Sequence, residues 1–234
     1  MPRISRIVVP GIPHHVIQRG NRRQRVFFGD DDKWRYLHLI KKHSDIAGIE
    51  YCAYCLMDNH VHLIAIPRTE KSLAAGLREA HRQYSYIINQ REGWRGYLWQ
   101  GRFLSYPMDQ RYFIAAVRYV ERNPVRAGLT ENAEDFLWSS ARAHVMKRQD
   151  ALISSNSWFS NIDDWVAFLR QPDHESDIEL LRKHARTGRP LGDRKFLLEL
   201  EKLTGRRLIK MKPGRKPKSE LESKPEHNHM PDPA

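Results

Sequence analysis

Two histidines, His60 and His62, lie two positions apart in an otherwise apolar run, HVHLIAIP, that has the composition of a buried strand. Side chains two apart on a strand point to the same face and stand roughly 7 Å apart, so two neutral imidazoles there can converge on one cation. Val61 and Leu63 point the other way, into the core. An isolated His-x-His pair is also compatible with two hydrogen-bonded polar residues at a sheet edge, so other residues must distinguish a metal site from a structural pair.

A tyrosine and an asparagine, Tyr119 and Asn123, supply the other groups that such a metal site needs. A cation held by two histidines alone is incomplete, and the amide oxygen of Asn123 can serve as a further ligand. Residues four apart are neighbours on a helix, so Tyr119 would lie beside the same metal, although Pro124 disfavours helical backbone at Asn123. One interpretation of Tyr119 is an amphipathic side chain at the edge of the core, which would show the same spacing. The other interpretation is a nucleophile, because a phenol beside a divalent ion can attack a phosphodiester.

The hydrophobic pattern predicts the elements that would position these residues. In chain order they are a strand over 13–18, a helix from Asp30 that Gly48 ends, strands over 50–57 and 60–66 joined by the turn Asp58-Asn59, a helix over 73–87, and a strand over 97–106. This order, β-α-β-β-α-β, is that of a ferredoxin-like α+β fold with an antiparallel sheet. The first and third strands are usually the central neighbours of that sheet, which would bring His14 and His15 near His60.

Further elements follow this unit. A helix over residues 109–123, with Asp109 as its N-cap and Pro124 at its end, would carry Tyr119. Residues 130–170 contain three tryptophans in a further packed stretch, and residues 178–208 have leucines at spacings that can pack as helix. Cys52 and Cys55, three apart on a strand, are expected to be reduced core residues on opposite faces, with a redox pair as the weaker alternative.

The charge of the chain indicates a polyanionic partner. Forty Lys and Arg against 28 Asp and Glu give a net charge of +12, which makes nucleic acid the expected partner. The arginines are clustered, which favours phosphate binding over a charge that only aids solubility. One group surrounds a single turn and the other recurs at helical spacing: Arg19, Arg22, Arg23 and Arg25, then Arg118, Arg122 and Arg126. No run approaches the roughly 18 apolar residues of a membrane span and the start lacks a secretion signal, so a cytoplasmic, nucleoid-associated protein without a membrane partner is predicted.

Three strings of residues, in this order, resemble a known family: HHVIQRGNRRQ at 14–24, NHVHLI at 59–64 and RYVERNPVRAGL at 118–129. They are similar to the HUH single-tyrosine transposases of small insertion sequences, and most closely to the REP-associated tyrosine transposases. His-x-His alone is a weak motif, whereas the three strings together are specific. The close resemblance covers residues 1–145, and HARTGRPLGDRKF with the basic tail extends it over much of the remainder.

The resemblance implies a catalytic site and a reaction. His60 and His62 would be the HUH metal ligands, Asn123 stands where many relatives have glutamine, and the cofactor would be a divalent metal, Mg²⁺ or Mn²⁺. Tyr119 matches the nucleophile, which would nick single-stranded DNA near a REP-type hairpin, leave a 5′-phosphotyrosine and a free 3′-OH, and transfer the strand without ATP. Single-stranded hairpin DNA would be the partner, held by the arginines of the two groups.

Three regions are expected: an HUH catalytic domain over 1–145, a helical extension over 146–211, and a disordered basic tail over 212–234 that has too few apolar residues to fold. PGRKP at 213–217 resembles a minor-groove hook, and a solvated tail is the alternative. Some relatives exchange the tyrosine helix between two subunits. Because the extension could cover that surface, a monomer is expected rather than a homodimer.

Two other functions remain compatible with the sequence. One is a domesticated protein that kept the fold and binds a DNA or RNA hairpin without cleaving it. The other is a zinc hydrolase with His14 or His15 as third ligand, which the lack of a glutamate beside the histidines disfavours. Three aromatic residues are either stacking platforms for unpaired bases or core side chains: Trp94, Tyr97 and Trp99.

Overall fold

The computed structural model describes residues 5–153, 157–159 and 162–209, and a sheet of four strands lies at its centre. The strands are β1 (His14–Arg19), β2 (Ile49–Met57), β3 (His60–Pro67) and β4 (Leu104–Pro107). Their order in the sheet is β2-β3-β1-β4, and all neighbours are antiparallel. The predicted α+β, ferredoxin-like architecture is confirmed, and β1 and β3 are the central pair as expected.

Two long helices cover one face of the sheet. Helix α1 (Asp30–Ala47) begins with three acidic residues, which the positive end of the helix dipole favours, and ends at Gly48, whose φ of 68° closes the last turn. Helix α2 (Ser72–Glu92) follows β3 and packs against α1. Val16 and Leu63 of the sheet pack into the apolar core beneath these helices. This face therefore belongs largely to the core of the domain.

Helix α3 (Gln110–Glu121) packs on the opposite face. Asp109 caps it as predicted, because its side chain accepts a hydrogen bond from the backbone nitrogen of Tyr112 at 2.9 Å. Phe113, Val117 and Val120 are fully buried in a second core that also contains Ile64 of the sheet. The remaining face of α3, which carries Tyr119, is only partly covered. The α3 face of the sheet thus has both a core and an accessible side.

The prediction that this helix runs to Asn123 was wrong. Helix α3 ends at Glu121, Arg122 leaves helical geometry with a ψ of 3°, and Asn123 begins a separate one-turn helix, α4 (Asn123–Arg126). Proline lacks a backbone N–H and clashes with the preceding turn, so Pro124 is accommodated in the first turn of a new helix rather than inside α3. Tyr119 and Asn123 therefore lie on different helices.

Two local features of the sheet also differ from the prediction. Residues 97–103 are not part of β4, which begins only at Leu104; Gly96 and Gly101 adopt φ values of 97° and 95°, which an extended strand does not allow. A bulge in β2 between Tyr51 and Ala53 interrupts the alternation of side chains, so Cys52 and Cys55 both face the second core instead of opposite faces. Both are buried thiols, as expected.

Among the described residues after 140, four further α-helices follow the core of the domain. They are α5 (Ala141–Met146), α6 (Trp165–Arg170), α7 (Glu175–Thr187) and α8 (Arg194–Thr204). Helix α7 packs against α3 and β4, and Leu200 of α8 packs with Ile7 and Val9 of the N-terminal segment. Within the described residues, no helix combines the length and apolar character that a membrane span requires. The predicted tail over 212–234, with its PGRKP sequence, lies outside the described residues.

Candidate active site on the α3 face of the sheet

The register of β1 and β3 brings three histidines together. Arg19 lies opposite His60 and Ile17 opposite His62, so the alternation of the strands places His15 on the same face as both. The ring centroids of His60 and His62 are 5.0 Å apart, and those of His62 and His15 are also 5.0 Å apart. The face that a His-x-His pair requires therefore carries a third imidazole from the neighbouring strand.

His62 belongs to a chain of hydrogen bonds that fixes which ring nitrogen carries its hydrogen. The hydroxyl of Tyr106 donates to the backbone oxygen of Leu181 at 3.1 Å, so the Tyr106 oxygen accepts from Nδ1 of His15 at 2.9 Å. Nε2 of His15 is then an acceptor, and it lies 2.8 Å from Nδ1 of His62. Nδ1 of His62 therefore carries the hydrogen, and its Nε2 keeps a free lone pair.

His60 has the same tautomer for an independent reason. Its Nδ1 lies 2.6 Å from the side-chain oxygen of Asn59, which can only accept a hydrogen bond. The amide nitrogen of Asn59 donates to the backbone oxygen of Arg23 at 3.2 Å, which orients this amide. Both histidines thus present an unprotonated Nε2, with Nδ1–H held by a neighbour, which is the arrangement of metal-binding imidazoles.

Burial keeps these imidazoles neutral. It lowers the pKa of His60 to about 4, with a smaller contribution from the positive charge of Arg19. It also lowers the pKa of His15 to about 3. The pKa of His62 lies well below its ordinary value, mainly because of burial and then because of the neighbouring His60 and His15. All three rings are therefore neutral at neutral pH, as metal ligands must be.

Tyr119, partly buried on α3, lies beside the histidines. Its ring centroid is 5.7 Å from that of His62 and 6.1 Å from that of His15, in edge-on arrangements. The guanidinium of Arg126 lies 4.1 Å from the centre of the Tyr119 ring and donates to the backbone oxygen of the same residue. Arg126 therefore restricts the orientation of this ring and places a positive charge beside the phenol.

The first group of arginines lies at the end of β1, next to His60. Arg19 faces the site. Its pKa is lowered mainly by burial and to a smaller extent by the charge of Arg23, whereas Tyr119 raises it. Arg22 and Arg23 are exposed and occupy a tight turn with φ values of 51° and 62°, a conformation that residues other than glycine adopt rarely. Arg25 is exposed and pairs with Asp58 at 2.8 Å.

The second group of arginines contacts one carboxylate. Side-chain nitrogens of Arg118, Arg122 and Arg126 lie 3.6, 3.8 and 3.2 Å from the oxygens of Asp173, which precedes α7. The three side chains are only 11%, 17% and 19% exposed. The structure therefore holds this group against the C-terminal region, with three positive charges sharing a single negative one.

Asn123 is the candidate for a third ligand. In the described residues no group of three or more His, Cys, Asp or Glu could hold a metal, so a further protein ligand would have to be of another type. The side-chain nitrogen of Asn123 is buried without a hydrogen-bond partner. Nitrogen and oxygen of an amide are distinguished only by their partners, so this unpartnered end can equally be the oxygen. An amide oxygen and two imidazole nitrogens are ligands of the type that a divalent ion accepts, and the role of Asn123 as third ligand stays a prediction.

His14 and His15 do not act as further ligands. His14 points to the opposite face of the sheet, where its Nδ1 lies 2.7 Å from the backbone oxygen of Ile12 and its Nε2 accepts from the backbone nitrogen of Val9 at 3.2 Å. His15 faces the site, but its two nitrogens are already bonded to His62 and Tyr106. These contacts contradict the zinc-hydrolase alternative that relies on either residue.

Comparison with known proteins identifies the family and the fold of the chain. The family profile described as IS200-like transposase matches residues 8–123, which contain β1, β3 and α3. The chain belongs to the IS200-like transposase family. The REP-associated tyrosine transposase solved with a bound REP hairpin has a similar fold, with a TM-score of 0.54 and 19% identity over 67% of this chain and 93% of that chain.

A second solved structure, a candidate transposase from Deinococcus radiodurans R1, is 18% identical over 52% of this chain and 97% of that chain, with a TM-score of only 0.35. A comparison of this chain with curated proteins found no match. The structure with a TM-score of 0.54 confirms the HUH-type fold expected of an IS200-like transposase, and the roles of individual residues stay predictions.

Sequence reasoning missed two residues of the site, Tyr106 and Asp173, and the role of a third, His15. The bond from His15 to His62, the hydroxyl of Tyr106 and the carboxylate of Asp173 all come from positions more than 45 residues from their partners. The only advance indication was the pair His14-His15 on a strand expected to neighbour β3. That pair predicted two histidines near β3, but it did not show that His15 would orient the proposed ligand His62 rather than bind a metal itself.

Proposed function

We propose that this protein is a single-stranded DNA endonuclease and strand transferase with Tyr119 as nucleophile. The observation that carries the proposal is the 5.7 Å distance between the rings of Tyr119 and His62, on the face where the Nε2 atoms of His60 and His62 are unprotonated. The Tyr119 oxygen forms a bond to phosphorus and loses its proton to solvent, while the P–O3′ bond breaks and the 3′ oxygen takes up a proton. The products are a 5′-phosphotyrosine and a free 3′-OH. Attack of a 3′-OH from another strand on the phosphotyrosine reverses the step and joins the two strands without ATP.

A divalent cation, Mg²⁺ or Mn²⁺, would be held by Nε2 of His60, Nε2 of His62 and the amide of Asn123. A bound ion of this kind polarises a phosphodiester and stabilises the negative charge that develops on it. The chain contributes orientation: Asn59 and His15 hold the two Nδ1–H groups and so keep both lone pairs directed into the site. Arg126 positions the phenol of the nucleophile.

Hairpin DNA with a single-stranded flank is the proposed substrate. The neighbour of similar fold was solved with a REP hairpin, and the exposed arginines at the end of β1, Arg22, Arg23 and Arg25, would neutralise phosphates or contact guanine edges beside the site. Arg19, Arg118, Arg122 and Arg126 would act closer to the nucleophile. The proposed form is a monomer that acts on DNA in the cytoplasm, with Tyr119 beside His62 of its own chain.

The test uses end-labelled hairpin DNA with single-stranded flanks taken from the borders of the protein's own gene. Wild type and Tyr119→Phe are incubated with the DNA and Mn²⁺ or Mg²⁺ and run on a denaturing gel. A covalent adduct is expected only for wild type and only with metal, while both proteins bind the hairpin equally because a single hydroxyl has been removed.

The matched control is Tyr112→Phe, which removes a phenol oxygen from the same helix, two turns from Tyr119, and should form the adduct normally. If Tyr119→Phe forms the adduct and Tyr112→Phe does not, the nucleophile is Tyr112. Equal hairpin binding with no adduct from any protein would contradict the nuclease and favour the domesticated, non-cleaving alternative.

A further inference from the structure

A cavity of about 500 Å³ lies on the face of the sheet opposite the candidate site. It is bounded by α2 and by residues 96–103, the segment that does not join β4. Its walls include Leu98, Trp99 and Phe103, all of which are buried, and the side chain of Tyr97, which is 85% exposed. The size and the largely apolar, aromatic lining are those of a small-molecule pocket.

The charged groups around this aromatic cavity are all positive. Four arginines and no Asp or Glu are among the residues that line it: Arg6, Arg78, Arg82 and Arg102. Glu79 pairs with Arg82 at 2.6 Å, whereas Arg78 and Arg102 have no carboxylate within ion-pair distance in the described part of the chain. Arg6 stacks over the ring of Phe103 at 3.7 Å and donates to the backbone oxygen of the same residue at 2.8 Å. Burial, and then the charge of Arg102, lower its pKa to about 10.

This cavity is tied to the strand that leads to the candidate site. Gln18 lines it and donates to the backbone oxygen of Gly101 at 3.0 Å, while the backbone nitrogen of Gln100 donates to the backbone oxygen of Arg19 at 2.8 Å. Gln18 and Arg19 are successive residues of β1, so their side chains point to opposite faces. Arg19 faces His60. Successive residues of one strand therefore contact the cavity on one face of the sheet and the candidate site on the other.

We propose that the aromatic cavity binds one unpaired nucleotide of the single strand that is cut at Tyr119. An aromatic wall with an uncompensated positive rim matches a ligand that joins a flat base to a phosphate. The base would contact Tyr97 and the wall formed by Trp99 and Phe103, and the phosphates would pair with Arg78 and Arg102. This proposal rests on the proposed function, because that function supplies the single strand.

The test measures binding alone, in EDTA, so that cleavage plays no part. Hairpin DNA with a single-stranded flank is prepared as a series in which one abasic site moves through the flank. Wild type should lose about 10-fold in affinity at one position, the loss that one stacked base produces. Tyr97→Ala and Arg102→Ala, both changes of exposed side chains, should bind the intact DNA about 10-fold more weakly and lose nothing further at that position.

The matched control is Tyr86→Ala, which removes a 62% exposed tyrosine from α2 that does not line the cavity and should reproduce the wild-type series. Equal binding of every DNA by wild type, Tyr97→Ala and Arg102→Ala would overturn the proposal. Deoxynucleoside monophosphates are tested separately: Tyr97-dependent binding of these, without any DNA binding, would assign the cavity to free nucleotides and overturn the DNA subsite.

Adduct formation by Tyr119 in Mg²⁺ separates this proposal from the proposed function. If all variants form the adduct normally and show the same affinities for the abasic series as wild type, the proposal for the cavity is refuted and the proposed nuclease is not. A position-specific loss that depends on Tyr97, without any adduct, would support the cavity and refute the chemistry.

Discussion

The bond between His15 and His62 leads to a prediction about metal affinity. His62 is only 4% exposed, and His15→Leu removes the acceptor for its Nδ1–H while leaving every proposed ligand in the sequence. A buried donor without a partner costs about 1–3 kcal/mol. His62 avoids that cost by moving its hydrogen to Nε2, which blocks the nitrogen that would bind the metal.

Because about 1.4 kcal/mol corresponds to a factor of ten, we expect His15→Leu to weaken Mn²⁺ binding by about 10- to 100-fold, the usual effect of removing a group that orients a ligand. His15→Gln places an amide oxygen near the position of the lost nitrogen and should restore most of the affinity. A general loss of packing would not be repaired in this way.

The same reasoning extends to Tyr106, which does not contact His62. Tyr106→Phe removes the acceptor for Nδ1–H of His15. His15 can then carry its hydrogen on Nε2 and donate to His62, which forces the His62 hydrogen onto the metal-binding nitrogen. We therefore expect Tyr106→Phe to bind Mn²⁺ more weakly than wild type does. The control Tyr51→Phe, which changes a buried tyrosine whose hydroxyl bonds Ser44 on the other side of the sheet, should bind Mn²⁺ as wild type does.

Calorimetric titration of each full-length protein with Mn²⁺, without DNA, measures these affinities. Binding by His15→Leu and Tyr106→Phe within twofold of wild type would refute the hydrogen-bond direction derived from the structure. Equal weakening by Tyr51→Phe would attribute the effect to general destabilisation.

Two further outcomes are expected. Asp173→Asn should release Arg118, Arg122 and Arg126 for phosphate, so hairpin binding should strengthen and its salt dependence should steepen by up to about two to three phosphate contacts. The control Asp177→Asn loses the ion pair with Arg111 and should bind DNA as wild type does. An unchanged salt dependence of Asp173→Asn would contradict this expectation. Burial lowers the pKa of His81 to about 3, so below pH 6.5 the unfolded chain binds a proton that the folded chain does not, and stability should fall as the pH falls, by up to about 1.4 kcal/mol per pH unit for this residue. Urea unfolding at pH 7, 6 and 5 measures that slope, which His81→Gln should reduce; an equal slope in the variant would count against the assignment.

Local rules were sufficient for much of the fold. The start of α1 at Asp30, its end at Gly48 and the cap at Asp109 follow from neighbouring residues alone, and all three were predicted. The same holds for the shared face of His60 and His62, which is a property of any strand. Local rules failed where two of them competed, as at Pro124, which ends one helix and begins another, and at residues 97–103, where glycines outweigh the alternation of aromatic residues.

The sequence by itself therefore determined the order of the elements, the family and the types of residue available for chemistry. The tertiary structure decided which nitrogen of each histidine is free, because that depends on acceptors such as His15 that lie far away in the chain. It also decided that Arg118, Arg122 and Arg126 share Asp173, and that an aromatic cavity lies on the face of the sheet opposite Tyr119. Hydrogen-bond direction and charge pairing depend on distances of a few ångströms between remote segments, which register and packing set and which no local pattern contains.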